Sequence, residues 1–307
     1  RLAAQETLAA TPVAVVTDDR RMKMLFKGRE IVDISRDFLD TNGVKQVIGA
    51  EIEERRVRYF DEKEKSFAKD LLASLSGLNV CSKKGLSEMF DSTIGSRSVY
   101  MPFGGKNQLT PAIAMAAKIC GGETDDATVS AYGYCAELMS ESPFTGAIYS
   151  IVTSVAKLVA AGCDYDAVRL TFQEYFMRLN RDPKRWGVPL AALLGALYAQ
   201  IGLGLGAIGG KDSMSGSFEH IDVPPTLISF ALAPAKASKL IGNVFTAAGQ
   251  KVYWLRIPKD ESGIPDFAAL AQLYRKVYAG VQGGNIRFAT VVENGGIGAA
   301  VAKSCLG

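Results

Sequence analysis

Histidine is nearly absent from this chain: His220 is the only one in 307 residues. A two-histidine metal site is therefore excluded. A Cys–His nucleophilic pair could use only His220, and nothing around it supports one, so it reads as a solvated loop residue. Cysteine is sparse as well. Cys81, Cys120, Cys135, Cys163 and Cys305 are odd in number, widely scattered and never spaced Cys-x-x-Cys. That excludes a zinc ribbon and disfavours a disulfide framework; reduced, buried thiols in a cytoplasmic protein are expected. No long run of one charge sign is present, and the net charge is only +3. No basic footprint points to nucleic acid. The first residues carry no apolar segment of the signal-peptide kind. The chain does not begin with Met and it ends on Cys305-Leu306-Gly307, so a section of a longer polypeptide is expected.

Glycine, by contrast, is concentrated. Gly202, Gly204, Gly206, Gly209 and Gly210 lead directly into Lys211-Asp212-Ser213-Met214-Ser215. Glycine allows close backbone approach to a ligand, and the following residues offer a cation, a carboxylate and hydroxyls. The register of a P-loop is missing: Leu205 stands where its first glycine belongs, and Asp212 where its hydroxyl belongs. The residues can still serve a nucleotide. Gly209 and Gly210 would offer backbone N–H groups, Lys211 a point charge, and Ser213 and Ser215 hydroxyl contacts. Asp212 would hold Mg²⁺, a hard cation that prefers carboxylate oxygen. The bland alternative is a Gly-rich connection with a polar tip. Glu293-Asn294-Gly-Gly-Ile-Gly298 forms a second strand–turn–helix element, and Gly104-Gly105-Lys106 a third, weaker one.

Val188–Gly210 contains no charged residue and is long enough for a membrane span. Gln200 and the glycines within it favour a buried helix followed by a Gly-rich strand and loop, so no membrane is expected. Helices are expected over about 62–76 and 82–90, from Pro143 to Gly162, from Asp182 to about Ile201, from Pro265 to about Val281, and after Gly298. In the Asp182 helix, Trp186, Leu190, Leu193, Leu194, Leu197 and Ile201 keep helical spacing up to the glycine run. Strands are expected at 12–17, 22–27, 98–103, 127–132, 168–173, 226–232, 251–256 and 288–292. Residues 112–119 read as either helix or strand. The thirteen charges of residues 51–70, six basic and seven acidic, mark a solvated helix or linker.

Gly209-Gly-Lys-Asp-Ser-Met-Ser215 followed by Val223-Pro-Pro-Thr-Leu-Ile-Ser-Phe-Ala-Leu-Ala-Pro234 resembles the second half of large-type phosphoribosylformylglycinamidine synthases. Ile94-Gly-Ser-Arg-Ser-Val99, Asn294-Gly-Gly-Ile-Gly298 and Pro12–Gly43 resemble further elements of that family. The resemblance implies an α+β or α/β fold: an aminoimidazole-ribonucleotide-synthetase-like N-terminal module, then a truncated C-terminal α/β sandwich. It implies four sections, namely 1–50 as the tail of a preceding module, 51–90 as a charged helical linker, 91–204 as the N-terminal-type module and 205–307 as the C-terminal-type module. It also implies a purine-biosynthesis ligase that uses ATP, magnesium and glutamine-derived ammonia. Its partners would be the first synthetase half and a glutaminase domain of the same polypeptide, with self-association of the excised half as a further expectation. The resemblance assigns no catalytic residue here. It points to an auxiliary site for ATP or ADP at Gly209, Gly210, Lys211, Ser213 and Ser215, with Asp212 on the metal. Where the family carries a Glu and an Asn as magnesium ligands, this chain has Thr153 and Lys157. Lys118 stands near a missing acid, and Asn294 replaces another. A degenerate auxiliary site is the expectation.

Overall fold

Ser142-Pro143 starts the most deeply buried helix, α1 (Pro143–Ala161). The Ser142 hydroxyl accepts from the Thr145 N–H, Pro143 takes the first helical position, and Gly162 closes the helix at φ +104°. That left-handed conformation favours glycine. α2 (Pro183–Leu203) repeats the scheme, with Asp182 capping the Lys184 N–H and Gly204 ending the helix at φ +66°. In the computed structural model, residues 2–41, 47–53, 57–61, 67–90, 96–120 and 123–307 are described. They divide into two compact units, Arg1–Gly49 and Ala50–Gly307.

The smaller unit is built on an antiparallel hairpin of Arg21–Phe26 with Arg29–Ser35, followed by a short helix, Arg36–Thr41. Lys27 and Gly28 both have positive φ at its turn, as a tight hairpin connection requires. The strand expected at 12–17 does not form. Val13, Val15 and Val16 are exposed, and the segment joins no ladder. An apolar run without a partner strand has nothing to bury it or pair its backbone.

The larger unit centres on a five-stranded mixed sheet. Its strands are β1 (Met115–Lys118), β2 (Asp126–Gly133), β3 (Arg169–Tyr175), β4 (Ala207–Lys211) and β5 (Thr226–Lys236), in spatial order β1-β2-β5-β3-β4. All pairs are antiparallel except β3–β4. That parallel pair is joined by α2, since parallel neighbours need a crossover connection. Within residues 112–119, Met115–Lys118 thus form strand and none forms helix. The sheet runs across the expected 204/205 module boundary: β4 and β5 share one sheet with β1–β3.

Alternation on β5 is clean. Leu227, Ser229, Ala231 and Ala233 are buried, while Phe230 and Leu232 lie on the other, partly exposed face. α1 covers the buried face across β2 and β5. Contact there is close: a Cβ on Gly133 would lie 2.1 Å from the Ser150 carbonyl and 2.7 Å from the Ser154 N. The Ser154 and Ser229 hydroxyls, both buried, hydrogen-bond at 2.9 Å. α3 (Phe267–Gln282), capped by Asp266, anchors to α1 through a Tyr274 O–H donated to the Val152 carbonyl at 3.0 Å.

α2 packs through its small residues. Gly187, Ala191, Ala192, Gly195, Ala196 and Ala199 face the core, whereas Leu190, Leu193, Leu194, Leu197 and Ile201 face outward. The reason is interhelical distance. A Cβ on Gly195 would lie 2.1 Å from the Phe144 carbonyl of α1, so only the small-residue face can approach α1, and the leucines are displaced outward. By length and composition both α1 and α2 could cross a membrane, but α1 is largely buried within the fold.

Three further strand expectations fail. Residues 251–256 and 288–292 form no strand, and Val252, Tyr253, Trp254 and Leu255 are exposed. In 98–103 only a single bridge, Ser98 to Ala117, and a two-residue strand, Phe103–Gly104, remain. The helix expected over 62–76 is described from Phe67 to Ser76, and the one expected over 82–90 is a single turn, Lys84–Ser87. Residues 62–66, and Ile94 and Gly95 of the quoted Ile94–Val99 motif, lie outside the described residues.

Candidate functional site

The glycine run ends as an edge strand. Gly209 and Gly210 lie in β4, and Lys211 is its last residue. Gly210 is needed for close pairing, because a Cβ there would lie 2.8 Å from the Phe172 carbonyl; around Gly209 there is open space. Phosphate-cradling nests need successive N–H groups aimed at one point. In an extended strand they alternate sides, so 209–211 presents a sheet edge in place of a nest. The whole strand is exposed. Beyond it, the Lys211 ammonium contacts the Ser213 hydroxyl, the Ser213 carbonyl accepts from the Phe176 N–H at 2.8 Å, and Ser215 is exposed. Asp212 is exposed.

Asp212 has a neighbour that sequence reading passed over. Gln173 pairs with Lys211 in the parallel ladder, which puts Glu174 beside Asp212. Leu170, Phe172, Glu174 and Phe176 share the core-facing parity of β3, and Glu174 lies opposite Leu227. An acid at a core-parity position of a half-buried strand was the available signal. Glu174 is only 5% exposed, and its Oε1 has no hydrogen-bond partner among the described residues. Burial, and then the charge of Asp212, push its carboxyl up to about 7.

Thr153 and Lys157 lie on α1 at the end of β2, where a Cβ on Gly133 would lie 2.9 Å from that of Thr153. The Lys157 side chain is 4% exposed. Its ammonium lies 2.7 Å from the Glu293 carboxylate, donates to the Tyr132 carbonyl at 2.9 Å and stands 4.4 Å from the centre of the Tyr132 ring. This is a complete cation site whose cation belongs to the protein. The second glycine turn thus meets α1 through Glu293. Its Asn294 Oδ1 accepts from the Tyr59 hydroxyl at 3.1 Å and the Cys135 thiol at 3.5 Å. Gly295, at φ +90°, leads into α4 (Gly296–Ser304).

The two groups do not meet. Tyr132 pairs with Phe230, and Phe230 with Thr171, whose hydroxyl donates to the Gly209 carbonyl. Three strand spacings of about 4.8 Å give about 14 Å between the Lys157 end and β4. Metal–oxygen bonds are about 2.0–2.6 Å, so no single ion touches both ends. Among the described residues no group of three or more His, Cys, Asp or Glu side chains converges. Lys118 ends β1, its N–H bonded to the Arg97 carbonyl. Gly104 and Gly105 border a cleft of about 560 Å³ whose lining includes Lys106 and Arg287. His220 is exposed in the turn between Ser217–Phe218 and Ile221–Asp222.

No family model matches the chain. It is 25% identical over 166 residues to the phosphoribosylformylglycinamidine synthase subunit PurL of Thermoplasma acidophilum, covering 53% of this chain and 21% of that protein. The fold is similar to that of Thermotoga maritima PurL. The ADP complex superimposes with a TM-score of 0.58 at 13% identity, over 87% of this chain and 39% of that one. The complex with FGAR gives 0.56 at 14% identity, over 87% and 38%. The chain thus spans about a fifth of the curated relative's length and about two fifths of the solved ones. In sequence and mixed α/β fold, it resembles a portion of PurL.

Proposed function

We propose that this chain is part of an ATP-dependent carbon–nitrogen ligase of purine biosynthesis, and that it forms the pseudo-active half of that enzyme. The parent reaction would convert formylglycinamide ribonucleotide to its amidine with glutamine-derived ammonia, in the cytoplasm. The similarity to PurL in sequence and fold supports this reading, as do the solved PurL complexes with ATP, ADP and FGAR. The remaining synthetase half and a glutaminase domain would be its partners.

Within this half, the auxiliary nucleotide site is degenerate. One observation carries this: at the position where the family resemblance places a magnesium ligand, the buried Lys157 ammonium is already paired with Glu293 and the Tyr132 carbonyl. A second cation there would meet like charge in a desolvated site. The α1 end therefore does not fit Mg²⁺. The β4 end fits it better, with Asp212 and the partnerless oxygen of Glu174. Mg²⁺ held there would neutralise phosphate charge. Gly209, Gly210, Lys211, Ser213 and Ser215 would contact a nucleotide only weakly, since an edge strand offers alternating donors. The half would then serve chiefly to brace the catalytic one.

Purified chain supplied with formylglycinamide ribonucleotide, ATP and ammonium is expected to make no amidine and no substrate-dependent ADP. Substrate-dependent turnover above a no-enzyme control would overturn the pseudo-active assignment.

A further inference from the structure

Two neighbouring carboxylates in this fold have no ion pair among the described residues. Glu174 is flanked on its own strand by buried Phe176 and partly buried Phe172, and lies opposite Leu227, which is fully buried. Its other neighbour is Asp212. The ladder pair Gln173–Lys211 lies on one side of them, and the Phe176 N–H bond to the Ser213 carbonyl on the other. Between these two ties the strands run side by side, about 4.8 Å apart. The ammonium of Lys211, the residue before Asp212, contacts the Ser213 hydroxyl. Neither carboxylate has an ion pair or side-chain hydrogen bond among the described residues, and Glu174 Oε1 is buried without a partner.

A buried carboxylate without compensation is costly, and a second one beside it raises the cost. A proton on Glu174 would remove the charge but leave Oε1 still without a bonding partner. A hydrated cation removes the charge and supplies the missing contact. We propose that Glu174 and Asp212 together hold one hard divalent cation of the Mg²⁺ or Mn²⁺ class, with Glu174 as the buried ligand and Asp212 as the solvent-side one. Carboxylate pairs with several retained waters suit such ions. This inference rests on Asp212 being a metal ligand. It adds Glu174, and it places the ion at the β4 edge, away from Lys157.

The test is a Mn²⁺ titration of the whole chain, following loss of the free-ion paramagnetic resonance signal. Wild type is expected to bind one Mn²⁺, with at least tenfold weaker binding in both Glu174→Gln and Asp212→Asn. Glu174→Asp, which keeps the charge on a shorter stem, is expected to fall between. Mn²⁺ should also raise the melting temperature of wild type but not of Glu174→Gln, a readout that reports directly on the folded variant. Undiminished binding in Glu174→Gln together with loss in Asp212→Asn would overturn the role of Glu174 and leave Asp212 standing. Absence of binding by wild type, or binding indifferent to Asp212→Asn, would overturn both.

Discussion

Replacing Glu293 by Gln should destabilise the larger unit more than replacing Lys157 by Met, although both break the same ion pair. In Glu293→Gln the ammonium stays where it is, 4% exposed, with the Tyr132 carbonyl, the Tyr132 ring and a neutral amide as its remaining partners. Removing one partner of a fully buried pair costs about 3–5 kcal/mol. Glu293 is 38% exposed, so water already shares its charge, and about 2 kcal/mol is the appropriate expectation. In Lys157→Met the charge is removed together with its desolvation penalty, and Glu293 turns to solvent. What remains is one strand carbonyl without its donor, at about 1 kcal/mol. Urea unfolding followed by tryptophan fluorescence measures the difference. With a slope of about 3 kcal/mol/M, Glu293→Gln should lower the midpoint by about 0.7 M and Lys157→Met by about half that. A Glu293→Gln midpoint within 0.1 M of wild type, or a larger loss in Lys157→Met, would refute the view that Lys157 is a buried cation dependent on Glu293.

Gly133→Ala places a Cβ 2.1 Å from the Ser150 carbonyl and 2.7 Å from the Ser154 N; a loss of about 3 kcal/mol is expected by urea unfolding, since backbone must move. Gly195→Ala, 2.1 Å from the Phe144 carbonyl, should cost about as much and force α2 away from α1, which amide hydrogen exchange in both helices would register. Leu193→Glu with Leu197→Glu should change stability by under about 1 kcal/mol, because both leucines face outward. If the α2 face mediates self-association, sedimentation will show concentration-dependent assembly in wild type and not in the double variant; equal assembly in both refutes that role. Burial pushes the Cys163 thiol up to about 12, so almost none of it is thiolate near neutral pH. At pH 8 Cys163 should resist alkylation while the exposed Cys120 and Cys305 react, and mass spectrometry of the modified chain will tell.

Caps and strands with tertiary support were legible in the sequence. The helices begun by Pro143 and by Asp182-Pro183, and the stop at Gly162, stand as expected because capping is local chemistry, and the helix expected from Pro265 begins at Phe267 behind an Asp266 cap. The strands at 127–132, 168–173 and 226–232 were legible because their alternation meets a real buried face. Apolar runs at 12–17, 251–256 and 288–292 failed because a strand needs a partner, which composition does not supply. The helical spacing of the α2 leucines was legible, but spacing marks a stripe and not its direction; the glycines and alanines that admit α1 turn the leucines outward. Of the site, Lys157 was legible as a substitution at a ligand position, but its tie to Glu293 spans the chain and could not be read locally. Glu174 was the opposite case, visible as an acid at core parity yet overlooked because the glycine run beside it drew the functional reading.

The central claim is that this half no longer carries a working nucleotide site. Calorimetric titration of the chain with MgADP tests it most directly. The account predicts no saturable heat in the micromolar range beyond that of a matched MgCl2 titration, from wild type and Asp212→Asn alike. Micromolar, stoichiometric binding that disappears in Asp212→Asn would contradict it and mark the auxiliary site as live.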